Sequence, residues 1–207
     1  MKRFIKVLFL LQSINITMNS SPLVAIRSKI PSILVDLPYA TADNFTRSQV
    51  YPDCADAYAL AEVIEQLALV QEYLKQKGFG LKIWDAYRPL AAQYKFWELV
   101  PDERYVSNPA KGGGRHTRGT TVDVTLVTLD GQEVAMPTEF DNFTEQAHAD
   151  YQDFPDVILA HREILREAME RFGFKGLATE WWHFDLVGWQ KYPALALDFE
   201  DLAKAEY

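Results

Sequence analysis

Apolar residues recur at intervals of three and four across residues 56–77, at Leu60, Val63, Ile64, Leu67, Val70 and Leu74, with Glu62, Glu65, Gln66 and Glu72 between them. That spacing predicts an amphipathic helix, capped by Asp53 or Asp56 and stopped at Gly78. A second helix is predicted over residues 156–172, where Val157, Ile158, Leu165, Met169 and Phe172 are apolar and Gly173 follows. Elsewhere the period falls to two. Residues 81–86 alternate as a strand, and Pro89 then suits the first turn of a helix over residues 90–100. Residues 120–127 are β-branched and predict a strand that turns at Asp130-Gly131 into a hairpin. On that strand Thr121, Asp123 and Thr125 share one face, while Val122, Val124 and Leu126 share the other. Asp123 is thereby aimed away from the core. Shorter strands are expected at residues 33–37 and, from aromatic density, at 176–186.

Three stretches carry no period: residues 39–51, residues 101–114 ending in three glycines, and the acidic residues 132–155. Loops of that length in a compact domain are often substrate-binding elements. The tail, residues 188–207, offers no chemistry. With neither internal repeat nor low-complexity linker, residues 22–207 are read as one domain. Residues 1–21 differ from the rest. Lys2, Arg3 and Lys6 precede an apolar run at residues 7–11 and a polar Asn19-Ser20-Ser21, which is the order of a secretory signal peptide, although no clean cleavage site follows. The run is too short for a stable membrane span. An exported, periplasmic protein is one expectation, and a cytoplasmic protein with an N-terminal extension is the other.

Charge and cysteine count narrow the chemistry. The net charge of −8 argues against a nucleic-acid partner, since phosphate binding needs clustered Lys and Arg. A single cysteine, Cys54, excludes an intrachain disulfide and a thiolate-rich metal site, leaving imidazole and carboxylate as ligands. Only four histidines occur, and two of them, His116 and His183, lie near acidic residues in aromatic or glycine-rich segments. Two histidines and one carboxylate with an open position form a recurrent catalytic zinc shell, which His116, Asp123 and His183 can supply. Glu180 stands three residues before His183, where a base for metal-activated water is needed, and Arg88 is a cation suited to a developing oxyanion. Spacing alone leaves a non-haem iron triad open. It also leaves Asp85 and Arg88 open to a structural ion pair. On a regular strand Glu180 and His183 would face opposite sides, so a shared site requires a bulge or a late strand entry.

Three blocks in order, WDAYRP at 84–89, RHTRGTTVDVTL at 115–126 and EWWHF at 180–184, resemble the VanX-type D-alanyl-D-alanine dipeptidases, zinc metallopeptidases related to D,D-carboxypeptidases. The resemblance spans about residues 23–200. It implies a small α+β domain, a central antiparallel sheet holding one Zn2+ and flanked by helices. It also implies His116, Asp123 and His183 as ligands, Glu180 as general acid/base and Arg88 as transition-state stabiliser. A dipeptide substrate brings a free ammonium, for which Asp141 matches the family's aspartate and Asp85 is a second candidate. Gly114 replaces a serine common in the family, and Thr121 stands where alanine is common. Two alternatives remain: a D,D-carboxypeptidase acting on peptidoglycan stems, and a non-catalytic zinc-stabilised binding module. Oligomeric state leaves no signature in the sequence.

Overall fold

The structure, a computed structural model, describes residues 21–205, so the signal-like segment lies outside the described residues apart from Ser21. Two short strands, β1 (Leu23–Ala25) and β3 (Tyr58–Leu60), pair antiparallel. A five-stranded sheet is built from β2 (Leu34–Val35), β4 (Phe79–Asp85), β5 (Thr121–Thr128), β7 (Glu180–Leu186) and β6 (Phe174–Leu177), in that spatial order. All neighbours are antiparallel except β2, which joins β4 in parallel at the edge. The α+β expectation holds, with one parallel strand added to the antiparallel sheet.

The helices are α1 (Ile26–Lys29), α2 (Ala61–Gln76), α3 (Leu90–Leu99), α4 (Asp156–Arg171) and α5 (Phe199–Ala205). The stripes on α2 and α4 bury Val63, Leu67, Val70 and Leu74 with Leu165, Ala168 and Met169 against Leu81, Ile83, Val122, Val124 and Leu126 of the sheet. A second cluster is aromatic, with Tyr39, Tyr51, Tyr58, Tyr87, Phe96 and Phe199 at its centre. Tail residues 195–197 are tied in through the Tyr87 hydroxyl, which donates to the Leu195 and Leu197 carbonyls. Among the described residues no helix is long and apolar enough to cross a membrane.

Two local expectations are corrected. Helix α2 starts at Ala61 with neither Asp53 nor Asp56 capping it, because residues 58–60 are taken as a strand by β1, a partner more than thirty residues away in sequence. Asp56 instead pairs with Arg27 and accepts from the Ala57 amide. The turn at Asp130-Gly131 forms, but the returning chain makes only an isolated bridge between Val127 and Glu133. Pro137 follows shortly and cannot donate to a ladder.

Leu126 on the central strand is fully buried between the sheet and the helices. Leu126→Ala is expected to lower unfolding free energy by about 2–5 kcal/mol, measured by denaturant titration.

Candidate metal centre

Asp85 of β4 pairs with Asp123 of β5, and Asp123 pairs with His183 of β7. Directly paired residues on neighbouring strands share a face, so these three form one row across the sheet. His183 joins the row by regular pairing, whereas Asp85 and, beyond the row, Glu180 depend on irregularities. Leu81 and Ile83 face the apolar core, and plain alternation would send Asp85 with them; an extra residue at Trp84 resets the phase. On β7 the register with β6 jumps, because Gly176 pairs with Phe184 while the adjacent Leu177 pairs with Glu180. The residues between bulge, which reconciles the three-residue spacing of Glu180 and His183. Glu180 Oε2 lies 3.5 Å from His183 Nδ1.

His116 arrives from a separate direction, on a single 3-10 turn closed by Gly119 at φ +67°. Any Cβ at Gly119 would clash with Leu23, so glycine is needed there for space as well as for backbone conformation. The turn is fastened when the Arg88 amide donates to the His116 carbonyl.

The two ring nitrogens and the Asp123 carboxylate converge, each ring nitrogen facing a different carboxylate oxygen. His183 Nδ1 lies 3.1 Å from Asp123 Oδ1, His116 Nε2 lies 3.4 Å from Asp123 Oδ2, and the two ring nitrogens are 3.3 Å apart. Four donors at about 2.0–2.1 Å from a zinc ion would be separated by about 3.3–3.4 Å, and one ligand atom from each of the three residues lies within 4.8 Å of the others. His116, Asp123 and His183 are all buried, and Asp123 Oδ1 has no hydrogen-bond partner of its own. An orphaned carboxylate oxygen beside two converging ring nitrogens fits a cation. Around it, Asp85, Glu180 and Asp185 add further buried acidic groups, against the buried Arg88 and the half-buried Arg115.

The remaining ring nitrogens fix the tautomers. His116 Nδ1 donates to the Ala86 carbonyl at 2.8 Å, which leaves Nε2 free as a ligand. His183 Nε2 faces Asp185 Oδ1 at 3.2 Å, which leaves Nδ1 for the metal. Asp185 is itself held by the Thr121 hydroxyl at 2.8 Å and by Arg115 Nη1 at 2.8 Å. Burial opposes charge on His183, but Asp185 and Asp123 push its pKa up to about 10. Burial likewise works against the charged form of Asp123, yet His116 and His183 hold its pKa below the ordinary carboxylate range. Burial raises Glu180 to about 8, with Asp123 adding to the effect.

Arg88 sits beside this centre with Asp85 as its anchor. Its Nε and Nη2 donate to Asp85 Oδ2 at 3.0 and 2.7 Å, and Nη2 is 3.9 Å from Asp123 Oδ2. The other oxygen of Asp85 accepts from the Tyr51 hydroxyl and the Ala86 amide. Asp85 is fully buried, with both oxygens engaged, and does not line the cavity, so its position is that of the structural ion pair rather than of an ammonium binder. Asp141 does line the cavity. Its carboxylate accepts from the Tyr39 hydroxyl at 2.9 Å, and its backbone is held at φ +57°, an uncommon conformation for a residue other than glycine. Burial raises the Asp141 pKa well above its ordinary value.

Over the cavity, Phe45, Phe143 and Tyr105 bring together the loops 39–51, 140–144 and 101–114 through ring contacts of 5.2 and 5.4 Å. The Thr179 hydroxyl latches the third loop by donating to the Arg104 carbonyl at 2.8 Å.

The family model for D-Ala-D-Ala dipeptidases matches residues 19–201. The chain belongs to the D-Ala-D-Ala dipeptidase family. A D-alanyl-D-alanine dipeptidase of Escherichia coli (strain K12) is 35% identical over 181 residues, covering 87% of this chain and 93% of that one. One from Enterococcus faecalis is 32% identical, with 79% and 90% covered. The fold is also similar at a distance to the D,D-pentapeptidase VanY in complex with Zn(II), at TM-score 0.42 and 15% identity, covering 68% of this chain and 78% of that one. Membership makes the protein a metallopeptidase.

The structure thus brings His116, Asp123, His183, Glu180, Arg88 and Asp141 around one cavity and places Asp85 behind Arg88. Sequence reasoning missed Asp185, although it lies two residues after His183, the spacing at which strand neighbours share a face. Thr121, which shares the strand face of Asp123, holds that carboxylate.

Two outcomes are expected. Asp185→Ala should weaken zinc affinity about 10–100-fold, measured by competition with a chromogenic chelator. With the His183 pKa near 10, zinc uptake at neutral pH must displace its proton. Apparent zinc affinity should therefore rise by about tenfold per pH unit through this group below that pKa. Calorimetry in buffers of different ionisation enthalpy should detect the released proton.

Proposed function

We propose that the protein hydrolyses the free dipeptide D-alanyl-D-alanine to D-alanine in a reaction that depends on one Zn2+ held by His116, Asp123 and His183. The observation that carries this reading is the cavity itself. The three candidate ligands, Glu180 and Arg88 share it with Asp141, a carboxylate suited to a free ammonium group. When bound, zinc supplies Lewis-acid polarisation of the scissile carbonyl and acidifies water. Glu180 takes a proton from the attacking water and returns it to the departing amine. Arg88, locked in place by Asp85, faces the charge that grows on the former carbonyl oxygen.

A substrate ammonium beside Asp141 would restore the charge that burial discourages there, whereas the amide of a longer stem offers no such charge. Arg115, half-buried and lining the same cavity, is placed to receive the dipeptide's carboxylate. The aromatic roof of Phe45, Tyr105 and Phe143 limits length. These features favour a dipeptidase over a D,D-carboxypeptidase. A purely structural zinc module would need neither Glu180 nor Arg88 at the metal. The basic, apolar, polar order of residues 1–21 supports export.

Zinc-loaded protein should release alanine from D-Ala-D-Ala and not from a stem pentapeptide, with activity abolished by chelator; release from the pentapeptide alone would overturn the reading. Glu180→Ala should retain zinc by elemental analysis yet lose turnover by about three or more orders of magnitude. Asp141→Asn should raise KM for the dipeptide more than it lowers kcat, as expected where a ground-state contact to the ammonium is lost.

A further inference from the structure

We infer that Gln93 is a positioning residue for Arg88, and that residue 114 is glycine because Gln93 needs its space. This rests on the dipeptidase reading and extends it to a side chain on α3 that touches no metal ligand.

Gln93 is buried, 1% exposed, and both ends of its amide are committed. Its Oε1 accepts from Arg88 Nη1 at 3.1 Å, and its Nε2 donates to the Ser107 carbonyl at 2.7 Å. The Ser107 carbonyl can only accept and Arg88 can only donate, so the amide has one workable orientation. Asp85 receives Nε and Nη2 of Arg88 at a single oxygen, Oδ2. Two bonds converging on one atom act as a pivot, about which the guanidinium can still rock. The bond from Nη1 to Gln93 supplies a second anchor and fixes the plane. Phe96 and Tyr39 then pack their rings at 4.7 and 5.6 Å from Arg88 Cζ. What remains is one N–H on each terminal nitrogen, free for a developing oxyanion.

Gly114 leaves the space that the Gln93 amide fills. A Cβ built there would stand 2.8 Å from Gln93 Oε1 and 2.9 Å from Cδ. Gln93 has no retreat that keeps both partners, since one lies on Arg88 and the other on the loop of residues 101–114. Glycine at 114 therefore leaves room for a glutamine that grips the arginine. Because Ser107 belongs to the cavity's covering loop, the same amide ties the aim of Arg88 to the position of that loop.

The test is a set of zinc-loaded variants assayed on D-Ala-D-Ala and on a phosphinate analogue of the dipeptide. Gln93→Met keeps the volume and loses the acceptor. It should lower kcat about 10–100-fold, with KM and zinc content essentially unchanged, and should weaken the tetrahedral phosphinate by a similar factor. Gly114→Ala should show the same loss in the parent but add nothing in a Gln93→Ala background, a non-additive cycle. Full kcat in Gln93→Met, or additive losses in the cycle, would overturn this inference alone. Absence of dipeptide hydrolysis by the parent protein would instead remove the reading on which it rests.

Discussion

A buried carboxylate facing two imidazole nitrogens is the constraint to which the rest of the site answers. Asp123 lies on the central strand with an unpartnered oxygen, and removing such a group from water is costly unless a cation or a proton compensates it. The sheet meets this cost through its register. Pairing across β4, β5 and β7 sets an anchor for Arg88 on one side of Asp123 and His183, a candidate ligand, on the other. Asp85 is turned to that face by one extra residue at Trp84, whereas His183 follows the regular register with β5 and the break against β6 re-aims Glu180. Bulges that would weaken an ordinary sheet here re-aim side chains.

Around this row the polar groups are arranged in relays rather than in isolation. Thr121 and Arg115 hold Asp185, which orients His183, while Tyr51 and the Ala86 amide hold Asp85, which orients Arg88. Ala86 serves both sides, since its amide binds Asp85 and its carbonyl binds His116. In a low-dielectric interior such fully partnered networks confer rigidity that partly satisfied ones lack. The loops above are held differently, by aromatic edges and a single hydroxyl latch, so the frame and its cover differ in stiffness.

Much of this was legible in the sequence, for reasons that are physical. The stripes of α2 and α4 and the alternation of β5 report burial directly, because periodicity is what a packed face imposes. His116, Asp123 and His183 stood out because so few residues were able to ligate a metal. What local pattern does not carry is partnership at a distance. The early start expected for α2 failed because β1 claims residues 58–60. For Asp85 the sequence left an ion pair with Arg88 and an ammonium-binding role both open, and its contacts with Tyr51 and Arg88 favour the first. Asp185 and Gln93 were invisible for the same reason, since their roles depend on partners such as Thr121, 64 positions from Asp185, and Ser107, 14 positions from Gln93.

Every residue from Thr121 to Val127 is buried, with alternate side chains given over to the hydrophobic interior and to the polar row. No position along that stretch is free to drift without touching either the stability of the molecule or its chemistry. Mutational tolerance must therefore reside in the loops and outer helices, and the few substitutions that β5 does accept, Thr121 among them, would be expected to arrive with matching changes across the neighbouring strand.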